Sequence, residues 1–197
     1  MRQIVRAVVI GASAGGVEAL NKLFNALKHP LPVPVLIVLH IAPRGSIIVG
    51  AFSGVAKGVI VKEGEDKEIP QPGSIYFAPP NYHLLVEKDF SLSLSVDEPV
   101  HFARPSIDVL FESAAEAYGE NVLGILLTGA NEDGAAGLQR IHRAGGITVV
   151  QNPATAHSPT MPEAALKAFD PTVVASLDDI KQMLARLVPA GEGVAYA

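Results

Sequence analysis

Along the chain, runs of consecutive apolar residues alternate with stretches in which apolar residues recur every three or four positions. Residues 4–10 (IVRAVVI) and 33–39 (VPVLIVL) are short and rich in β-branched side chains, and between them Val17, Leu20, Leu23, Phe24 and Leu27 fall at helical spacing. This is a β-α-β pattern. It returns at 122–127 (VLGILL), then a helix from about 134 to 143, a strand at 147–150 (ITVV), a short helix around 163–169, Val173-Val174, and a final helix from about 178 to 188. Strands that are apolar at nearly every position need cover on both faces, so parallel strands joined by crossover helices are expected.

The middle of the chain reads differently. After GSIYFAPP, the segment YHLLVEKDFSLSLSV has two alternating runs around Lys88-Asp89, which predicts a β-hairpin near 82–96 laid on the main sheet. Pro105 is then expected to open a helix, PSIDVLFESAAEAYG, with Ile107, Leu110, Phe111 and Ala114 on one face. No internal repeat, low-complexity tract or linker divides the sequence. A single α/β domain over residues 1–197 is expected, with its core at about 4–188 and a short polar tail after Pro189.

Composition narrows the function classes. A chain of 197 residues, 49% of them apolar, can bury a sizeable core, yet no apolar run approaches the roughly 18 residues of a membrane helix. Arg2, Arg6 and the triplet Ala12-Ser13-Ala14 imitate a secretion signal, but the apolar stretch Ala7 to Ile10 is shorter than the roughly 7 to 15 residues such a signal needs. A cytoplasmic location without membrane insertion is the resulting expectation. The net charge is −5 and the basic residues are scattered, so no nucleic-acid surface is indicated. The absence of cysteine excludes disulfides and thiolate chemistry. His29, His83, His101, His142 and His157 show no metal-ligand spacing, so no metal site is expected.

In an open parallel sheet, ligands bind outside the carboxyl ends of the strands. Ser13 follows the strand at 4–10, His40 the strand at 33–39, and Asp133 the strand at 122–127. If these strands are neighbours, the three side chains share one rim and have the composition of a nucleophilic triad. Each has a plainer explanation. GASAG fits the G-x-S-x-G elbow of a serine nucleophile, and equally a serine helix cap or a glycine-rich phosphate cradle, although the P-loop and G-x-G-x-x-G spacings are missing. His40, flanked by Ile41 and Pro43, fits a hydrogen-bonded residue at a tight strand end, and Asp133 fits an N-cap of the helix that follows it.

Seven blocks in order, IGASAGGVEAL, HIAPRG, YFAPPNYHL, FARPSIDVLFESAA, LLTGANEDGAAGL, AGGITVVQNPATA and MPEAA, resemble the catalytic domain of the CheB family of chemotaxis protein-glutamate methylesterases. The resemblance runs from about residue 4 to 188. It implies a doubly wound α/β fold with a mostly parallel sheet and helices on both faces, and it maps the catalytic triad onto Ser13, His40 and Asp133. The implied reaction is hydrolysis of glutamyl methyl esters, with deamidation of certain glutamines as a second activity, and it needs no cofactor. The implied partners are the cytoplasmic helices of methyl-accepting chemoreceptors. On this mechanism, backbone N–H groups near Ala14, Gly15 and Gly16, together with that of Ala130, are candidate oxyanion donors. Arg104 is a candidate for holding an acidic receptor segment, or else a surface arginine paired with a neighbouring acid.

The chain departs from the family pattern at several points. Ala14 stands where threonine is usual, Ala130 and Asn131 where methionine and glycine are usual, Ile41 where methionine follows the histidine, and Thr160 where glycine precedes Met-Pro. Asn131 matters most if that position needs a positive φ. The altered wall keeps open a catalytically silent, receptor-binding relative, and the glycine-rich turn keeps open a phosphate- or nucleotide-binding module. Family members typically carry an N-terminal receiver domain, whereas this sequence begins three residues before its first predicted strand, so a separate regulatory receiver protein is a further candidate partner.

Overall fold

The uniformly apolar strands are covered on both sides in the computed structural model, which describes residues 4–25, 27, 29–40, 50, 52, 58–190 and 193–195. Seven parallel strands form the central sheet: β2 (Ala7–Ala12), β3 (Val35–Leu39), β4 (Ile60–Glu63), β5 (Ser74–Phe77), β8 (Val122–Leu126), β9 (Ile147–Gln151) and β10 (Val173–Ala175). Their order is β10-β9-β8-β2-β3-β5-β4, with every neighbouring pair parallel. The GSIYFAPP stretch thus joins the central sheet through β5.

Strand alternation divides the core into two layers. Val8, Ile10 and Ala12 point to one face, against Leu20, Leu23 and Phe24 of α1 (Gly16–Phe24) and Ile180 and Leu184 of α5 (Leu177–Ala185). Ala7 and Val9 point to the other face, against α2 (Ile107–Tyr118), α3 (Ala135–Arg143) and α4 (Thr160–Ala168). The chain leaves β2 over one face toward β3, and leaves β8 over the opposite face toward β9. The connections therefore part between β2 and β8, which is where a ligand crevice forms in a doubly wound sheet.

The expected hairpin is present as β6 (His83–Val86) and β7 (Leu92–Ser95), antiparallel with His83 opposite Ser95 and Val86 opposite Leu92. It forms a two-stranded sheet of its own, and its buried Leu84, Val86 and Leu92 pack in the same cluster as α2. Several boundaries differ from the sequence reading, three of them by more than a shift of an element's ends. The helix after Pro105 begins at Ile107, with Ser106 in extended conformation as its N-cap. The strand at 4–10 divides into β1 (Ile4–Val5) and β2, because Arg6 donates its N–H to Asn121 O at 2.7 Å. Where a polar tail is expected, β11 (Val188–Ala190) and β12 (Gly193–Ala195) form a small antiparallel sheet with β1. Among the described residues, no helix is long and apolar enough to cross a membrane.

Candidate active site

Pairing continues past the ends of the central strands, and this brings the three candidate residues to one rim. His40 N–H donates to Ala12 O at 3.0 Å, and Ser13 N–H donates to Thr128 O at 2.9 Å. Ser13 therefore leaves β2 flanked by the exits of β3 and β8. Ile41 and Pro43, which flank His40 in the sequence, lie outside the described residues.

The turn after Ser13 uses two glycines for different reasons. Gly15 has φ +79°, in the left-handed region, and Gly16 has no room for a side chain, since a Cβ there would lie 2.6 Å from Leu39 Cδ1 and 2.8 Å from Ala12 Cβ. The turn is held from outside by Thr128, whose hydroxyl donates to Ala14 O at 2.8 Å and accepts from Ser158 N–H at 2.8 Å. Ser13, His40 and the first turn of α1 line one pocket of about 600 Å³. Among the described residues, the Ser13 hydroxyl makes no hydrogen bond, and neither do the N–H groups of Ala14 and Gly15. Gly16 N–H differs, because it donates to Ser13 O at 2.7 Å and is not free for an oxyanion.

His40 and Asp133 form the other half of the site. The His40 side chain is 14% exposed and Asp133 is fully buried, with Nε2 of the ring 3.0 Å from Asp133 Oδ2. The approach is bent, so Nε2 lacks a straight hydrogen bond. Asp133 also accepts from the Ser106 hydroxyl on Oδ1 (2.8 Å), from Ile107 N–H on Oδ2 (2.7 Å), and from Asp108 N–H on Oδ1 (3.0 Å). Burial pushes its carboxyl up, but the His40 ring, the N–H groups of Asp108 and Ile107 and the Ser106 hydroxyl outweigh burial and hold it below the usual carboxylate value. An ionised carboxylate facing Nε2 assigns the ring proton to Nε2 and leaves Nδ1 with a lone pair able to accept a proton.

Asp133 is a helix cap, but of a distant helix rather than its own. The groups it accepts from are the N-cap and first two residues of α2, whose dipole also favours a negative charge there. The helix that follows Asp133, α3, has Gly134 at its N-cap, with φ +96°. Asn131 has no positive φ, so the glycine usual at that position is not required here by backbone conformation.

The remaining candidates are spread around this centre. Ala130 is exposed, and its N–H has no partner among the described residues. Arg104 donates Nη1 to the carbonyls of Val96 (2.8 Å) and Asp97 (3.0 Å), so it secures the chain leaving β7 instead of pairing with an acid. His157 packs on the turn after Ser13, where a Cβ added at Gly15 would lie 2.6 Å from His157 Cβ. Among the described residues, no group of His, Asp and Glu could hold a metal.

Sequence reasoning passed over Thr128, Ser106 and Asp108 and weighed His83 only as a metal ligand; all four are buried polar residues. His83 Nδ1 accepts Ser106 N–H at 3.1 Å and Nε2 donates to Glu98 O at 3.2 Å, which fixes the cap residue that holds Asp133. A polar residue inside an apolar stretch, as in LLTG and PSIDVLF, was the available signal.

The chain's similarities point the same way as this geometry. The model of the CheB methylesterase family matches residues 8–184, which is most of the chain. The chain belongs to the CheB methylesterase family. A putative protein-glutamate methylesterase/protein-glutamine glutaminase of Leptospira interrogans serogroup Icterohaemorrhagiae serovar copenhageni is 45% identical over 184 residues, covering 92% of this chain and 94% of that protein. Protein-glutamate methylesterase/protein-glutamine glutaminase 1 of Burkholderia pseudomallei is 38% identical over 192 residues, covering 95% of this chain and 52% of that protein. The crystal structure of the Thermotoga maritima CheB methylesterase catalytic domain superposes with a TM-score of 0.87 at 27% identity, covering 93% of this chain and 99% of that one. The ends of β2 and β3 thus meet at the pocket beside Ser13, with Asp133, beyond β8, against the His40 ring.

Proposed function

We propose that the chain is a cytoplasmic protein-glutamate methylesterase, folded as one domain over residues 1–197. Its substrates are glutamyl methyl esters on the helical cytoplasmic part of bacterial chemoreceptors. Amide hydrolysis of receptor glutamines at the same serine is a second reaction of this reading, and the names of the relatives support it. One observation carries the proposal: a buried, ionised carboxylate lies 3.0 Å from a histidine that lines the same pocket as Ser13.

Ser13 Oγ bonds to the ester carbonyl carbon while its proton passes to His40 Nδ1, and Asp133 steadies the imidazolium through Nε2. The developing oxyanion is received by the N–H groups of Ala14 and Gly15 at the positive end of α1, with Ala130 N–H as a further donor. Because these donors are backbone groups, the two alanines do not remove them. Collapse breaks the bond to the methoxy oxygen, His40 protonates that oxygen, and methanol leaves a glutamyl ester on Ser13. Water then adds with its proton going to His40, the bond to Oγ breaks, Oγ recovers a proton, and glutamate is released. A Ser13 hydroxyl with no hydrogen bond among the described residues suits a site whose last hydrogen bond closes when substrate enters.

The test is methanol release from methylated receptor by the native protein and by Ser13→Ala. Release by the native protein alone is expected, and equal rates in the two would overturn the proposal. A native protein that binds the receptor without releasing methanol would be the silent relative instead.

A further inference from the structure

Asp133 is one half of a reciprocal arrangement, and the other half is Asp108. Asp108 belongs to the first turn of α2, and its Oδ1 accepts the N–H groups of Gly134 (2.9 Å) and Gly137 (2.7 Å) at the start of α3. Asp133, just before α3, accepts the N–H groups of Ile107 and Asp108 at the start of α2. Each helix therefore has its N-terminal donors satisfied by a carboxylate carried on the other.

We propose that Asp108 is a positioning residue: by capping α3 it fixes the chain that carries Asp133, and through Asp133 the orientation of the His40 ring. The inference rests on the reading of Asp133 as the triad carboxylate. Gly134 is the residue after Asp133, so the 2.9 Å bond to its N–H acts one residue from the catalytic side chain. Packing leaves little slack there, since a Cβ at Gly134 would lie 2.6 Å from both Ile107 Cγ2 and Leu126 Cδ1. A carboxylate at this joint is costly to bury, and burial pushes Asp108 up to about 6, with the Gly137 N–H and His101 lowering it and Asp133 and Glu112 raising it. His101 faces Asp108 Oδ2 at 3.4 Å and Glu132 at 3.6 Å. An apolar residue would spare that cost, but it would leave the N–H groups of Gly134 and Gly137 without an acceptor.

The capping bonds both fall on one oxygen, which makes the role separable from charge. Asp108→Asn keeps an acceptor oxygen, whereas Asp108→Ala removes it. With p-nitrophenyl acetate as substrate, well below the melting temperature of each variant, Asp108→Ala is expected to lose about tenfold in kcat at unchanged KM. Asp108→Asn is expected to stay within about threefold of the native rate. The downfield imidazole N–H resonance of His40 should persist in the Asn variant and broaden or vanish in the Ala variant. An Ala variant with native kcat and a native His40 resonance, altered only in stability, would overturn the proposal. If the Ala variant does not fold, an Asn variant that keeps its fold but loses the resonance and about tenfold in kcat also overturns it, because the cap would then be intact without the function. Asp133→Ala serves as the reference: full activity there would end the triad reading, whereas an inactive reference beside an unaffected Asp108→Ala variant ends this inference alone.

Discussion

The carboxylate end of the site and the serine end are built in opposite ways. Asp133 has no exposed surface, accepts three hydrogen bonds from the start of α2, and sits at ion-pair distance from His40. The Ser13 hydroxyl makes no hydrogen bond among the described residues, although the backbone around it is held by Thr128 and two glycines. The difference separates what must be fixed beforehand from what the substrate completes. An ionised carboxylate survives burial only when its partners are in place in advance, whereas a nucleophile's last hydrogen bond can form when substrate excludes water.

Substitutions at the two ends should lower activity and stability by different amounts. Ser13→Ala removes the proposed nucleophile, and methanol release should fall by about 10⁴-fold or more. Asp133→Asn keeps the shape but presents a neutral group to Nε2, so kcat should fall by about 10⁴-fold. Removing one support at either end is a milder change. Thr128→Val breaks the bond from the threonine hydroxyl to Ala14 O and should lower kcat by about tenfold, as misplacement of the nucleophile turn would. Ser106→Ala removes one of the donors to Asp133; it should cost about 1–3 kcal/mol of stability, read as a shift in urea midpoint, with a smaller effect on rate.

The smallest expected effect concerns pH, because the two buried aspartates shift in opposite directions. Asp133 is held below its ordinary value, so its stabilising contribution is present above that value and is lost as pH falls through the folded-state pKa. Asp108 is raised to about 6, so the folded state is favoured by its protonation and that advantage is lost as pH rises through about 6. Asp108→Asn should therefore gain in melting temperature relative to the native protein between pH 4 and pH 7, and a difference that stays constant over that range would contradict the assignment.

Much of this architecture was legible along the chain. The apolar runs at 33–39, 122–127 and 147–150 marked central strands because burial on both faces leaves few polar positions, and a serine, a histidine and an aspartate followed the runs at 4–10, 33–39 and 122–127. What holds the site together was not legible. Asp133 is bonded to residues 25 to 27 positions away, and local spacing makes it look like the cap of the helix that follows. Asp108 reads as an ordinary acid in a first helical turn, and only the packing of α2 against α3 reveals that it accepts from Gly134 and Gly137. The pairing of β1 with β12 was hidden for the same reason, since it joins the two ends of the chain.

On the proposed mechanism a preset His40–Asp133 pair activates Ser13, and labelling with an active-site-directed fluorophosphonate tests this without a receptor. The native protein should be labelled at Ser13, as mapped by peptide mass spectrometry, and Asp133→Ala should be labelled at least about 100-fold more slowly. Labelling of Asp133→Ala at the native rate, or a label on the native protein that maps away from Ser13, would contradict the account.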